Sequence, residues 1–177
     1  MQEQERIGLI IVNTGAGKGK TTAAMGVALR AAGCKMKVLM IQFIKGSWDY
    51  GELHSAKLLA PYFEIVPMGE GFTWETKDKV RDTEIAGKAW RVCKEKITAN
   101  EHDILIFDEI NNALDYGFID VNDVIEAVKN KPKEMHIILT GRGAPEALID
   151  AADLVTEMRE IKHPFTKGIF AQKGIEF

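Results

Sequence analysis

The chain has 177 residues, 46 % of them hydrophobic, which suits one compact domain with a substantial core and leaves little room for two. Lys and Arg total 23 against 26 Asp and Glu, a net charge of −3, so no basic excess points to a nucleic-acid partner. The opening MQEQER lacks the basic-then-apolar layout of a secretory signal, and no apolar run approaches the ~18–20 residues of a spanning helix; the expectation is a cytoplasmic protein without a membrane partner.

The first organised stretch is Gly8 to Thr22, GLIIVNTGAGKGKTT. Leu9-Ile10-Ile11-Val12 is rich in β-branched residues and too short for a core helix, which suits a strand buried on both faces. Gly15, Gly17 and Gly19, with Ala16 and Lys18 between them, let the backbone curl so that several N–H groups face one anion at a helix N-terminus. Lys20 adds a mobile charge, and Thr21, followed by Thr22, offers a hydroxyl of the kind that ligates Mg²⁺ beside phosphates. The usual G-x-x-x-x-G-K-[ST] pattern wants glycine at position 14, where this chain has Thr14, so the loop is a variant. An ordinary strand-to-helix turn is the bland alternative. The strand before and the helix after count against it.

Thr21 to Ala32 is alanine-rich and helical, capped by Gly33, and Met36 to Phe43 is a second apolar strand, completing a βαβ unit. A parallel sheet with ligands at the carboxyl ends of its strands follows. KGSWDYGE at 45–52 leaves the second strand directly and reads equally as a site loop or as a surface turn with Trp48 packed down. Leu53 to Ala60 suggests a short helix stopped by Pro61, and Phe63 to Pro67 a third strand.

GEGFTW at 69–74 falls at the same strand edge. Phe72 and Trp74, two apart, share one side of an extended segment, as a hydrophobic plug or as a platform for a flat ligand. From Thr76 to about Ala99 the spacing predicts a long helix with Val80, Glu84, Gly87, Trp90, Lys94 and Ile97 in line, Ala86, Ala89 and Cys93 beside them, and Trp90 in the core.

DILIFDEI at 103–110 is a strand ending in two carboxylates. Asp108 or Glu109 suits Mg²⁺, Glu109 suits polarising a water, and one of the two as a helix cap is the structural alternative. Asp120 opens a helix through about Asn130, and Met135 to Thr140 is a fifth strand. Arg142, just beyond it, suits bidentate contact with phosphate or a salt bridge to Glu146. Leu154 to Ile161 suggests an edge strand, and the glycine- and aromatic-bearing tail from Lys162 a loop. Two cysteines far apart and four scattered histidines show no zinc or disulfide spacing.

Taken together, GAGKGKTTAA at 15–24, KGSWDYGE, GFTW, DEI at 108–110, TGRGAP at 140–145 and ADLVTEM through KHPFTKGIFAQKGIE resemble the P-loop family of ATP:corrinoid adenosyltransferases over nearly the whole chain. The resemblance implies a single α/β domain over residues 1–177, RecA-like. Its mostly parallel sheet would have about six strands, room for one antiparallel edge strand, and helices on both faces. It implies transfer of the 5′-deoxyadenosyl group of ATP to the Co(I) centre of a corrinoid, cobalamin or a cobyrinate or cobinamide precursor, with release of triphosphate.

On that resemblance, residues Gly15 to Thr22 with Arg142 hold ATP, Mg²⁺ sits on Thr21 with Asp108 or Glu109, and Lys20, Phe72 and Trp74 serve catalysis. The two rings crowd the lower corrin face and displace its axial ligand, easing reduction of Co(II). A homodimer and an electron donor such as a reduced flavoprotein are implied as partners. Relatives carry a longer N-terminal segment that folds over the site, so the loops at 45–52 and 69–75 or a partner subunit are expected to exclude water here. The competing readings are a P-loop ATPase or small-molecule phosphotransferase, and an ATP-gated binding module.

Overall fold

The computed structural model describes residues 6–46, 49–71 and 78–176. Its apolar runs become β1 (Ile10–Thr14), β2 (Val38–Gln42), β3 (Phe63–Pro67), β4 (Ile104–Asp108), β5 (His136–Thr140) and β6 (Leu154–Glu157). Between them lie α1 (Lys20–Gly33), α2 (Gly51–Leu58), α3 (Lys79–Ala99), α4 (Ile110–Asp115), α5 (Val121–Lys129) and α6 (Glu146–Ala151). The strands form one six-stranded sheet in the order β3-β2-β4-β5-β1-β6.

The room left for an antiparallel edge strand is not used: β6 runs parallel to β1, with Ile11 opposite Leu154 and Thr14 opposite Glu157. The reason is α6, a crossover helix between β5 and β6 that brings the chain back before the last strand begins.

The inner strands alternate between two cores, whereas β6 is exposed along its length. Val38 and Met40 join Ile104, Ile106 and Ile138 against Ala24, Ala28 and Ala31 of α1, where small side chains let the helix lie close. Leu39 and Ile41 face the other way, with Val12, Leu105, Phe107, Ile137 and Leu139, onto the Ala86, Ala89, Trp90 and Cys93 face of α3. Trp90 is core as expected, edge-on to Phe107 with ring centroids 6.0 Å apart, its indole N–H donating to Asp123 at 2.7 Å. The line drawn through Val80 and Glu84 is rotated off the core, however. Val80 is 71 % exposed, and the buried stripe begins at Asp82.

One row of this sheet is polar. Gln42 pairs with Asp108, Phe107 with Leu139, and Asn13 with Thr140, so Gln42, Asp108, Thr140 and Asn13 cross four adjacent strands at their carboxyl ends. All four are buried, directly above the apolar row Ile41, Phe107, Leu139 and Val12. The fold thereby places a strip of hydrogen-bonding side chains where the glycine-rich loop turns into α1.

Candidate active site

The loop from Gly15 to Gly19 has the backbone that the glycines were expected to permit: Gly15 has φ 97° and Gly19 φ 109°. A second reason for glycine comes from the chain beyond β6. A Cβ on Gly15 would lie 2.5 Å from the Met158 carbonyl oxygen, and one on Gly17 2.7 Å from the Arg159 carbonyl. The Gly17 N–H donates to the Met158 carbonyl at 2.6 Å, and the Met158 N–H to that of Thr14 at 2.8 Å. Thr14 has no positive φ and so needs no glycine; its hydroxyl accepts from the Ala144 N–H at 3.1 Å.

Lys20 is buried and curls back, its Nζ donating to the carbonyls of Gly15 and Gly17 at 2.8 and 2.6 Å. Burial lowers its pKa, with Glu109 opposing and Arg142 and Lys18 reinforcing the shift. Ala16, Lys18 and Thr22 are exposed on the loop and the first turn of α1, and Lys18 pairs with Glu176 of the tail.

Thr21 faces inward. Its hydroxyl donates to Oδ1 of Asp108 at 2.8 Å, the same oxygen that accepts from Thr140 at 2.8 Å, while Oδ2 accepts from Gln42 Nε2 at 3.2 Å. Asp108 is fully buried and held by three donors from three elements. Glu109 stands at the turn into α4 with φ 66° and ψ 16°, a left-handed conformation uncommon for a residue with a side chain. Burial drives its carboxyl pKa from 4.5 up to about 7, with repulsion from Asp108 adding to the effect and Lys20, Lys45 and Arg142 pulling the other way.

Arg142 lies near enough to Glu109 and Lys20 for its charge to act on both. It does not pair with Glu146, and among the described residues its side chain has no ion-pair partner. Its backbone is set by its own N–H donating to Asn112 Oδ1 at 2.8 Å and by Gly141 at φ 130°, where a Cβ would meet that oxygen at 2.4 Å. In the loop after β2, Lys45 pairs with the buried Glu52 and lies 4.7 Å over the ring of Tyr50. Tyr50 is buried, and the charge of Lys45 reaches Glu109. Trp48, Phe72 and Trp74 lie outside the described residues.

Gln42, Thr140 and Lys45 were not singled out from the sequence, although each has a signal: a lone polar residue, or a lysine, at the carboxyl end of an apolar strand. A small recess between β2, α3 and α4 is lined by Phe43, Ile44, Ile85, Ala86, Ala113, Tyr116 and Phe118 together with the polar Asp82 and Asn112.

The oxygen set suits Mg²⁺. Thr21 and Glu109 are hard donors, and Gln42 Oε1, fully buried next to Asp108, is an acceptor without a protein partner. Among the described residues no three His, Cys, Asp or Glu side chains gather as a metal-binding group. A cation carried on nucleotide phosphates needs only one or two protein ligands.

Comparison with known proteins gives the family context. Residues 6–177 match the model of the family described as ATP:corrinoid adenosyltransferase BtuR/CobO/CobP. A corrinoid adenosyltransferase of Sinorhizobium sp is 49 % identical over 175 residues, spanning 96 % of this chain and 80 % of the relative. Those of Pseudomonas aeruginosa and Escherichia coli K12 are 41 % and 40 % identical over 99 % of this chain and 87 % and 89 % of theirs. Among solved structures, the flagellar accessory protein FlaH of Methanocaldococcus jannaschii superposes with a TM-score of 0.56 at 16 % identity, over 85 % of this chain and 70 % of FlaH, a likeness of fold alone.

Proposed function

This chain belongs to the ATP:corrinoid adenosyltransferase family and so adenosylates a corrinoid with ATP, and from that premise we propose how its residues divide the work. The glycine loop and Lys20 hold the triphosphate. On nucleotide binding Lys20 exchanges the Gly15 and Gly17 carbonyls for phosphate oxygens, an ion pair in place of contacts with uncharged acceptors. Arg142 and Lys45, which face Glu109 together with Lys20, take up further negative charge.

Mg²⁺, held by the Thr21 hydroxyl and the Glu109 carboxylate, would supply charge neutralisation at the leaving triphosphate. Asp108 acts one layer back, since both its oxygens are engaged by Thr21, Thr140 and Gln42. That carboxylate, locked against the phosphate loop, is the observation that carries the assignment.

The nucleophile belongs to the corrinoid substrate. Co(I) attacks C5′, a Co–C bond forms, the C5′–O bond breaks, and its electron pair leaves on the triphosphate. The protein positions, orients and excludes water. Phe72 and Trp74 serve the preceding reduction by crowding the lower corrin face.

The proposal extends to a cytoplasmic homodimer that receives electrons from a reduced flavoprotein. No helix among the described residues is long and apolar enough to cross a membrane. A second copy would cover the exposed Leu154, Ile161, Phe165, Phe170 and Ile175 at the β6 edge and tail.

The direct test is the products, adenosylated corrinoid and intact triphosphate in equal amounts. A separate test is Phe72→Ala and Trp74→Ala, expected to bind ATP as the parent does while losing adenosylation from Co(II). Equal loss of both would contradict the aromatic assignment.

A further inference from the structure

We propose that Thr140 is a positioning residue for adenosyl transfer, its single hydroxyl setting the placement of both Asp108 and Glu109; this rests on the reading that those carboxylates serve the metal–nucleotide complex. The Glu109 N–H donates to Thr140 Oγ1 at 3.0 Å, and a backbone amide has no other role it can take. The hydroxyl must accept there, so its one proton goes to Asp108 Oδ1 at 2.8 Å. The direction of the whole chain of bonds is thereby fixed: Glu109 N–H to Thr140, Thr140 to Asp108, and Thr21 to the same Asp108 oxygen. With its proton on Asp108, the Thr21 hydroxyl keeps its lone pairs available for a ligand.

The arrangement has no substitute nearby. Thr140 is fully buried, so water cannot take the place of its hydroxyl. Glu109 is left-handed at φ 66°, and it makes no side-chain cap at the start of α4. Its turn is held by the N–H bond to Thr140 and by the Asn112 N–H donating to the Glu109 carbonyl at 3.2 Å. Losing the first bond leaves a part-buried amide unpaired and frees the residue that aims the metal-facing carboxylate. Removing a group that orients a metal ligand typically weakens metal affinity by about 10–100-fold.

The test compares Thr140→Val, which keeps shape and branching but deletes the hydroxyl, with Thr140→Ser, which keeps the hydroxyl. The readouts are Mn²⁺ binding in the presence of ATP, followed by electron paramagnetic resonance, and KM for MgATP and kcat measured separately. Thr140→Val should weaken Mn²⁺ binding about tenfold or more, while Thr140→Ser stays within about threefold of the parent. Thr140→Ala takes the place of Thr140→Val if that variant does not fold. Mn²⁺ affinity unchanged by loss of the hydroxyl, or lost equally in Thr140→Ser, would overturn the proposal. Mn²⁺ affinity is independent of the product formed, so a parent enzyme releasing orthophosphate would refute the adenosyl-transfer reading without touching the Thr140 result.

Discussion

Thr21 and Asp108 lie 87 positions apart in sequence, and the Thr21 hydroxyl donates to the Asp108 carboxylate at 2.8 Å. This bond ties the start of α1 to the end of β4, so the phosphate loop and the carboxylate pair are registered to each other before any ligand arrives. The account gives Asp108 an orienting role that its neutral analogue cannot fill. Asp108→Asn would direct an NH₂ group toward donors on Thr21, Thr140 or Gln42. The expected result is a loss of about 1–3 kcal/mol in urea unfolding together with weaker MgATP binding. Unchanged stability would mean that the site tolerates an amide and that the donor ring is not what holds it.

Glu109 predicts a pH-dependent conflict between stability and function. Its pKa is raised from 4.5 to about 7 on folding, so the folded chain holds that proton more tightly than the unfolded chain. Stability is therefore lost as pH rises from 4.5 through 7, and the full penalty is present above 7. Glu109→Gln escapes the penalty and should exceed the parent by on the order of 2–3 kcal/mol above pH 7, with the difference shrinking toward pH 4.5. Ligand-free thermal melts across that range decide the matter. A constant difference would show that the carboxyl does not titrate as described. The same variant should lose most of its Mg²⁺-dependent activity.

The loop glycines were legible from their spacing, but the neighbour that demands them was not. Gly17 is read from sequence as a residue that frees the backbone, whereas the structure shows Arg159 against the place where a side chain would go. Gly17→Ala should displace the chain beyond β6, weaken ATP binding and lower the melting temperature together. An alanine variant that keeps both would mean the close approach is relieved at no cost.

The βαβ unit, the six strands and the carboxylates at the end of β4 were readable because continuous β-branched runs and a glycine-rich turn carry their own physics. The helices α4 and α6 span only six residues each, too few to show a helical period, so α4 entered only as the helix that a carboxylate at 108 or 109 would cap, and α6 was not seen. Without α6 the direction of β6 stayed open. On α3 the expected Ala86, Ala89, Trp90, Cys93 and Ile97 are buried, but the first turn was misjudged because Val80 is apolar yet solvent-facing, while Asp82 is charged yet buried. Gln42 and Thr140 look like ordinary strand ends; only the register that sets them beside Asp108 reveals their work.

Away from the site, Arg6 and Asp103 join the first described residues to the start of β4 at 2.8 Å. Burial alone would raise the Asp103 pKa, but hydrogen bonds from Arg6 and the Lys37 N–H, with their charges, outweigh it and hold it below 3.8. The stability this contributes is present above pH 3.8 and is lost as pH falls through the lower folded value. Asp103→Asn should therefore be less stable than the parent at neutral pH by a fraction of a kcal/mol up to about 1 kcal/mol, and the two should converge in acid. Acid unfolding curves that stay parallel would contradict this.

The central claim, that this chain uses its phosphate loop to expel an intact triphosphate from C5′ and not to move a phosphoryl group, is tested by one anaerobic reaction. Purified protein is mixed with MgATP and chemically reduced cobalamin, and the corrinoid spectrum is followed while inorganic triphosphate is assayed. The account predicts an adenosylated corrinoid appearing in step with triphosphate. An unchanged corrinoid with orthophosphate or ADP released would contradict it and assign the site to phosphoryl transfer.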